Sequence, residues 1–351
     1  MRRGAARDGS GRSATLMISG VDISSAPDPS APRQDFTALV DRLSAATLDP
    51  GTITAAPGIL GVVARRIRPH WAIALACVRR RRVGHVFATG EDVGLRTAAL
   101  FKLLRVRTPL VVACHNIATR WPTAYLQRLR VHTSVATFLC MSESQAEILQ
   151  ERCGGRARVE LVYWHVDDQF FRPTDQPTDR LIASAGMARR DYATLVEATD
   201  GLDAELRIAA DSPWFVSSLN VDPDEVPDHV EVRSYGTYAN LRELYARARV
   251  VVVPLEDVDY AAGYSVILEA MAMGKPVIAT RTRQPDDFID EGVTGLRVAP
   301  YDVDGLRTAL ASLLDDPERA ARMGAAGRRR VEELFALDRF VDRVAGAVVA
   351  T

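Results

Sequence analysis

The sequence has few cysteines and no long apolar stretch. Its four cysteines form no C-x-x-C pair and have no histidine at zinc-ligand spacing, so neither a disulfide framework nor a metal site is indicated. The longest apolar runs, such as residues 71–78 and 250–255, are far shorter than the roughly 18 residues of a membrane span. Residues 1–13 have no apolar core of a signal peptide, so we expect a cytoplasmic protein without a transmembrane segment.

Short motifs of several enzyme classes are also missing. The chain contains no G-x-G-x-x-G, Walker A, G-x-S-x-G or H-E-x-x-H pattern, which argues against dehydrogenases, kinases, serine hydrolases and metalloproteases. Basic residues in the first half are not interleaved with aromatic ones, so we expect no nucleic-acid partner.

Charge is unevenly distributed, although the formal net charge is only −1. Residues 1–165 hold 23 lysines and arginines against 12 acidic residues, whereas residues 166–351 hold 21 against 33. This asymmetry indicates either an anionic partner of the first half or two domains that attract each other. An acidic or membrane-associated partner, and a peripheral location at the inner face of a membrane, are therefore hypotheses. The arginine run at 79–82 is either a membrane-surface patch or simply a solvated face.

Short β-branched runs alternate with helix-length segments along the whole chain. Predicted strands lie at 15–19, 83–89, 109–115, 136–141, 159–164, 181–185, 206–210, 230–234, 250–255, 276–280 and 295–298. Predicted helices lie at 36–46, 93–104, 124–131, 144–152, 192–199, 241–248, 265–273, 303–314, 320–335 and 337–349. This alternation favours an α/β fold with parallel sheets covered on both faces, and the length favours two doubly wound domains facing a central cleft.

A polar, proline-bearing stretch near residues 166–179 predicts the domain boundary. We expect an N-terminal domain over 1–165 and a C-terminal domain over 166–336, and two such domains facing a cleft suit the joining of a donor to an acceptor. The last helix, within 337–351, either ends the second domain or crosses back to the first.

The most informative stretch is residues 260–296. A strand leads into a small-residue loop at 261–263 and then into a helix that carries Glu269. Unpaired N–H groups at such a helix start attract an anion, for which a diphosphate would be suitable. The Glu269 carboxylate could accept hydrogen bonds from two neighbouring hydroxyls, as on a ribose. By residue type alone, an ordinary exposed helix glutamate is the alternative.

These residues resemble the donor-binding half of retaining GT-B glycosyltransferases of the family-4 type, also called glycosyl transferases group 1. The resemblance rests on LEAMAMGKPVIAT followed by EGVTGLRV, on SAGMARRDYATLVEA, and on VYWHVDDQFFRP, which is similar to the family's interdomain linker. PLVVACHN and MSESQAEIL in the first half are similar to the family's histidine-ending strand and helix start. The resemblance covers roughly residues 83–345.

In the family's E-x7-E pattern, Glu269 is the second glutamate, which implies that it binds ribose hydroxyls. The first glutamate falls at Ala261, so the carboxylate that normally contacts the transferred sugar is missing. Asp257 or Asp259 could supply it, or the backbone of residues 263–264 could hold the sugar alone. The donor-binding helix start comprises Gly263, Tyr264 and Ser265.

A second departure is Met187, where the family has an arginine for the diphosphate. Arg189 and Arg190 are the cations expected to replace it, while Gly186 allows the backbone to approach the phosphates. Positive charge there would stabilise the departing nucleoside diphosphate. The resemblance implies that neither a metal nor another cofactor takes part, although Asp257 and Asp259 spell a short D-x-D.

The resemblance also implies roles for residues around these groups. His115, at the end of a predicted strand, would orient or polarise the sugar and β-phosphate, with Asn116 and the linker residue His165 as further sugar contacts. The residues expected near the nucleobase are Arg233, Ser234 and Tyr235.

The resulting prediction is a metal-independent, retaining hexosyltransferase that moves a sugar from a UDP- or GDP-linked donor to an acceptor. The resemblance implies that the C-terminal domain binds the nucleotide sugar and the N-terminal domain the acceptor. Two alternatives remain open, the first of them motivated by Ala261 and Met187. One is a catalytically impaired sugar-nucleotide-binding protein, and the other is a GT-B epimerase that acts on sugar nucleotides.

Overall fold

A computed structural model describes residues 15–23, 28–55, 69–115, 117, 120–210, 220–258, 262–283 and 287–351. These residues divide into two units with separate cores. Unit 1 comprises residues 15–23 with the described parts of Arg33–Tyr163 and Asp338–Thr351. Unit 2 comprises Asp28–Pro32 and the described parts of Trp164–Leu337.

Unit 1 is built on one parallel sheet in the order β2-β1-β3-β4-β5-β6. The strands are β1 (Thr15–Ile18), β2 (Ala46–Leu48), β3 (His85–Ala88), β4 (Leu110–Cys114), β5 (Thr137–Cys140) and β6 (Val159–Leu161). The helices are α1 (Asp35–Leu43), α2 (Pro50–Thr54), α3 (Pro69–Arg79), α4 (Glu91–Leu104), α5 (Arg120–Thr123) and α6 (Glu143–Arg152). A π-helical turn at Ala124–Arg128 continues α5, and a 3₁₀ turn follows at Val131–Ser134.

Unit 2 repeats this plan with a parallel sheet in the order β12-β11-β10-β7-β8-β9. The strands are β7 (Leu181–Ala185), β8 (Glu205–Ala209), β9 (Val230–Arg233), β10 (Val250–Val253), β11 (Val277–Thr280) and β12 (Gly295–Val298). The helices are α7 (Tyr192–Thr199), α8 (Tyr238–Arg247), α9 (Tyr264–Ala272), α10 (Val303–Leu314) and α11 (Pro317–Arg330), the last continued by a π-helical turn at Val331–Phe335.

The central strands are buried on both faces. Every residue of β4, β7, β10 and β11 is buried, which agrees with their nearly continuous apolar or small side chains. Such strands are stable only when helices cover both faces of the sheet. The α/β fold class predicted from the sequence is thereby confirmed. No helix in the described part of the chain is long and apolar enough to cross a bilayer.

The last helix, α12 (Leu337–Val349), lies almost wholly within unit 1. Apolar side chains that recur every three to four residues along it are buried, namely those of Leu337, Phe340, Val344 and Val348. Two carboxylates on its polar face form ion pairs with unit 1: Asp338 with Arg33 at 2.9 Å and Asp342 with Arg42 at 3.0 Å.

The predicted end of the first helix is wrong. The first helix was expected to continue to residue 46, but α1 ends at Leu43 because Ser44 adopts a left-handed conformation with φ of +46°. Residues 46–48 then form β2, which pairs with β1 at the edge of the sheet. A strand of only three residues has no alternation by which sequence reasoning could identify it.

Candidate functional site

The sheet of unit 2 reverses its winding between β7 and β10. These strands are hydrogen-bonded neighbours, yet the chain proceeds from β7 to β8 on one side and from β10 to β11 on the other. In open α/β sheets, ligands bind in the crevice beyond the carboxyl ends of strands at such a reversal. The loop after β7 contains Gly186 and Arg190, and the loop after β10 contains Gly263. All three are residues that the sequence predicts at the donor site.

Backbone contacts join these two loops. Arg190 and Leu255 form an isolated antiparallel bridge. The Asp191 N–H donates to the Pro254 carbonyl at 3.1 Å, and the Glu256 N–H donates to the Arg189 carbonyl at 3.0 Å. The loop of residues 186–191 therefore has a fixed position against the end of β10.

Arg190 is buried and braces its own loop. Its Nε donates to the Ala185 carbonyl at 3.0 Å and one terminal nitrogen donates to the Ala188 carbonyl at 2.8 Å. The other terminal nitrogen lies 2.8 Å from where a Cβ would stand on Gly186, whose φ of +93° also requires glycine. A fixed positive charge thus lies directly beyond the end of β7.

Arg189 has a different environment. Its side chain is 60% exposed and forms an ion pair with Glu256 at 3.0 Å. Of the two predicted phosphate-binding cations, Arg190 therefore lies inside the loop and Arg189 at its surface. Met187, which replaces the family's arginine, lies in the same loop.

Helix α9 begins at a glycine for steric reasons. Gly263 has φ of +77°, and a Cβ there would lie 2.7 Å from Cγ1 of Val253. The residue makes no side-chain cap to the helix, and Ser265 in the first turn is exposed. The aromatic ring of Tyr264 is buried edge-on against Phe288, with ring centroids 4.7 Å apart. The close strand-to-helix turn leaves the first N–H groups of α9 without a side-chain cap.

Glu269, in the second turn of α9, is not an exposed helix glutamate. Its carboxylate accepts a hydrogen bond from the Tyr245 hydroxyl at 3.1 Å. Burial raises the pKa of Glu269 to about 7, although the Tyr245 hydrogen bond and the charge of Arg190 act in the opposite direction. The alternative of an ordinary exposed helix glutamate is therefore wrong.

Two tyrosines at this site were not found by sequence reasoning. Tyr245 on α8 is fully buried, and burial together with the neighbouring Glu269 raises its pKa well above the usual range. The Tyr192 hydroxyl donates to the Gly186 carbonyl, and burial raises the pKa of Tyr192 to about 12. Both occupy ordinary apolar positions of helices, so only the tertiary structure reveals their partners.

The predicted nucleobase residues follow the edge strand β9. The Arg233 guanidinium lies 4.5 Å from the centroid of the Tyr235 ring and pairs with Glu231 at 3.0 Å. Asn240 donates to the Tyr235 carbonyl at 2.8 Å. Arg233, Ser234 and Tyr235 line a cavity of about 290 Å³. Helix α8 starts beside this cavity and carries Tyr245, which contacts Glu269.

The remaining sugar-contact candidates of unit 2 have varied environments. Asp257 is 3.3 Å from Nε of Arg283, whereas Asp259 and Ala261 lie outside the described residues. The His165 ring stacks on Trp164 with centroids 6.2 Å apart. These contacts place neither Asp257 nor His165 against Glu269.

His115 lies in unit 1, directly after β4. Its Nε2 is 2.7 Å from the Thr89 carbonyl oxygen, and its backbone N–H donates to Glu91 at 2.9 Å. The residue lines a cavity of about 450 Å³. The neighbouring Asn116 lies outside the described residues.

The second unit matches a known family. Residues 193–330 match the family model described as glycosyl transferases group 1. The matched segment extends from α7 to the last residue of α11 and includes Glu269. This segment of the chain is therefore similar to group 1 glycosyltransferase domains.

Two curated relatives are mannosyltransferases. The chain is 29% identical over 266 residues to MMP alpha-(1->4)-mannosyltransferase of Mycolicibacterium hassiacum, covering 67% of this chain and 64% of the relative. It is 34% identical over 153 residues to the GDP-mannose-dependent alpha-(1-6)-phosphatidylinositol monomannoside mannosyltransferase of Mycolicibacterium smegmatis, covering 42% of this chain and 39% of the relative. The chain spans less than two thirds of the length of either relative.

A solved structure shares the architecture. Anabaena Alr3699/HepE in complex with UDP superimposes with a TM-score of 0.69 over 96% of this chain and 100% of that chain, at 14% identity. At this identity the likeness shows the fold alone, which is the two-domain, Rossmann-like fold of GT-B glycosyltransferases.

Proposed function

We propose, from the premise that the chain carries a group 1 glycosyltransferase domain on a GT-B fold, that it is a retaining hexosyltransferase. It would move a sugar from a nucleotide diphosphate sugar to an acceptor hydroxyl. The observation that carries this proposal is the grouping of Glu269, Tyr245 and Arg190 at the winding reversal of unit 2. Retention at the anomeric carbon rests on the family resemblance.

Each group in this arrangement has a role in the proposed chemistry. The Glu269 carboxylate would accept hydrogen bonds from the two ribose hydroxyls of the donor. The diphosphate would bind at the start of α9, where the N-cap is a glycine that has no side chain to cap the helix and the helix dipole favours an anion. When the bond between the sugar and the β-phosphate breaks, negative charge grows on the departing diphosphate, and fixed positive charge from Arg190 would lower the barrier.

A carboxyl group with a pKa of about 7 supports a ligand-binding role for Glu269. A carboxylate that is partly removed from water, as Glu269 is, gains from hydrogen-bond donors, and the hydroxyls of a ligand would supply them. Ribose hydroxyls would supply two further donors to the oxygens that Tyr245 leaves available. Gly263 and Gly186 flank the site, and both would allow the backbone to approach the diphosphate closely.

The relatives favour GDP-mannose as the first donor to test. Several are named as GDP-mannose-dependent mannosyltransferases, whereas UDP appears in the structure of Anabaena Alr3699/HepE. Backbone groups after β9 would hold the base, with Arg233 and Tyr235 at its edge. No metal or other cofactor is part of the proposal.

The acceptor would bind to unit 1, where His115 would orient it or the transferred sugar. A membrane-associated acceptor is supported by the basic excess of residues 1–165 and by the lipid acceptor in the name of one relative. The arginines at 79–82 are exposed and provide a surface for anionic lipid.

The decisive experiment measures GDP release and sugar transfer from GDP-mannose, with UDP-glucose and UDP-N-acetylglucosamine in parallel. We expect Glu269→Gln to lower kcat/KM by about 10- to 100-fold, because charge-assisted hydrogen bonds to hydroxyls contribute about 1.5–3 kcal/mol. The matched control is Glu197→Gln, which changes an exposed glutamate on α7. Donor binding without GDP release would instead indicate a sugar-nucleotide-binding protein.

A further inference from the structure

Another cavity of unit 2 lies at the edge of the sheet opposite to the loops of the proposed donor site. Its volume is about 410 Å³. Its lining includes Arg249, which immediately precedes β10, and Lys275 and Pro276, which immediately precede β11. The strands are parallel, so these amino ends lie at one edge, whereas Gly186 and Gly263 follow the carboxyl ends of β7 and β10. The cavity is therefore separate from the proposed donor site.

The described lining of this cavity carries only positive charge. Its charged residues are Arg249, Lys275, Arg328 and Arg329, and the rest are proline, alanine, glycine and one threonine. Arg328 is neutralised by Glu332, 2.7 Å from its Nε, and lies 3.8 Å from Asp168. Within the part of the chain that the structure describes, neither Arg249 nor Lys275 forms an ion pair. Two positive charges of the cavity therefore lack an opposing carboxylate there.

Lys275 is a buried cation in a fixed position. The residue is only 9% exposed, and its Nζ donates to the Ala246 carbonyl at 2.6 Å. Its backbone packs against α11, where a Cβ on Gly324 would lie 3.3 Å from the carbonyl carbon of Lys275. Burial, together with the charge of Arg249, lowers the pKa of Lys275 to about 8. An ammonium group has three N–H donors, so the contact with Ala246 leaves two for a ligand.

Arg249 lies close enough to Lys275 for its charge to act on that ammonium group. Its Nε donates to the Thr178 hydroxyl at 3.2 Å, and a terminal nitrogen donates to the Thr178 carbonyl at 3.4 Å. The neighbouring carboxylate, Asp179, pairs with Arg247 at 2.7 Å. Two like charges beside one cavity repel each other, and an anion bound between them would remove this repulsion.

The chemistry of the cavity fits a phosphomonoester. Such a group carries a charge of about −1.5 to −2 at pH 7 and three strong acceptor oxygens. Arginine binds it through a planar fork of donors and lysine as a point charge. Small-molecule sites have volumes of about 300–1,000 Å³, so the cavity has room for more than the phosphate. Its prolines and alanines suit a small uncharged remainder, and its described lining holds no aromatic ring on which a nucleobase could stack.

We propose that this cavity is a second anion site of unit 2, at which Lys275 and Arg249 bind the phosphate of a small, otherwise uncharged phosphomonoester. The exposed Arg329 adds a further positive charge. The site goes beyond the proposed sugar transfer, since none of its lining residues belongs to the donor site. Phosphatidic acid in a membrane presents the same chemical group, but the buried position of Lys275 favours a soluble ligand.

The test titrates glycerol 3-phosphate into the protein by isothermal titration calorimetry, with glycerol as the uncharged comparison. A parallel titration contains excess GDP-mannose, whose two phosphates include no phosphomonoester. We expect glycerol 3-phosphate to bind, glycerol not to bind, and GDP-mannose to leave the affinity unchanged. Arg249→Gln and Lys275→Met should each weaken binding about tenfold or more, because each removes a charge-assisted hydrogen bond.

The matched control is Arg322→Gln, which changes an exposed arginine of α11 that pairs with Glu318 and does not line the cavity. Its affinity for glycerol 3-phosphate should equal that of the unchanged protein. Lys275→Met also removes the hydrogen bond to Ala246, so circular dichroism checks its fold. If that variant does not fold, Arg249→Gln decides the outcome.

No binding of glycerol 3-phosphate, displacement of it by GDP-mannose, or unchanged affinity in Arg249→Gln would each overturn the proposal. Sedimentation with vesicles of phosphatidylcholine and phosphatidic acid distinguishes the two sources of the phosphate. Vesicle binding that is lost in Arg249→Gln, without binding of glycerol 3-phosphate, would refute a soluble ligand and assign the site to a membrane lipid.

Discussion

Glu269 shows how much a single buried carboxyl group can determine. Because burial raises its pKa to about 7, the folded protein binds a proton there that the unfolded chain releases near pH 4.5. The folded state therefore loses stability from this group as pH rises from about 4.5 to 7. A nucleotide sugar whose hydroxyls donate hydrogen bonds to the ionised carboxylate would favour loss of the proton from Glu269.

The first prediction concerns the pH dependence of donor binding. At pH 6 roughly a tenth of the Glu269 carboxyl would be ionised and at pH 8 roughly nine tenths, so GDP-mannose should bind about tenfold more tightly at pH 8. Titration calorimetry at several pH values measures this. In Glu269→Gln the affinity should be lower and independent of pH over the same range. Identical pH dependence in the variant would assign the titration to another group.

The sequence singled out Glu269 through the family resemblance, and it singled out Gly186 and Gly263 as positions of close backbone approach, where the structure shows positive φ angles. It could not locate Tyr245 or Glu256. Tyr245 contacts a residue 24 positions away through the packing of α8, and Glu256 pairs with Arg189 across 67 positions. Contacts of this kind depend on tertiary structure and leave no periodic or spacing signal.

At the scale of elements, helix α11 approaches α9 through glycines. A Cβ on Gly324 would lie 2.0 Å from the carbonyl oxygen of Gly274, immediately after α9, and one on Gly327 would lie 3.3 Å from Met271. This close approach holds α9, the helix that carries Glu269, in place against α11. Helix α11 thus has a packing role against the helix that carries Glu269.

The second prediction tests this contact. Gly324→Ala should lower the free energy of unfolding by about 1–3 kcal/mol or more, because backbone atoms cannot move aside easily. The control is Gly346→Ala in α12, where nothing lies within 4 Å of an added Cβ. That change should raise stability by about 0.5–1 kcal/mol through helix propensity. Urea unfolding monitored by circular dichroism distinguishes the two, and equal effects would contradict the close approach.

Most elements were predictable because the central strands are short, apolar and flanked by helices with clear periodicity. β7, β12, α7, α10 and α12 have the predicted ends, whereas β2 was missed and the helix predicted at 124–131 is a π-helical turn at Ala124–Arg128. Hydrogen bonding of type i to i+5 has no sequence signature comparable to the 3.6-residue period. Local pattern therefore predicted the type of most elements but not departures from regular geometry.

For the molecule as a whole, two units with separate cores imply that a ligand can stabilise one of them preferentially. The third prediction uses hydrogen exchange with and without GDP. Protection should be greatest at residues 184–192 and 263–272, since the proposed diphosphate and ribose contacts lie there, and smaller in β3 and β4 of unit 1. Greater protection at residues 85–115 than at 263–272 would contradict a donor site in unit 2.

The position of α12 has a consequence for biosynthesis. Unit 1 takes its final helix from Asp338–Thr351, which leaves the ribosome only after the whole of unit 2 has been translated. Phe340, Val344 and Val348 are buried in the finished protein. Unit 1 therefore lacks this helix throughout the translation of Trp164–Leu337. The described strands and helices of unit 2 all precede α12 in the sequence. A nascent chain would be expected to complete its second unit before its first.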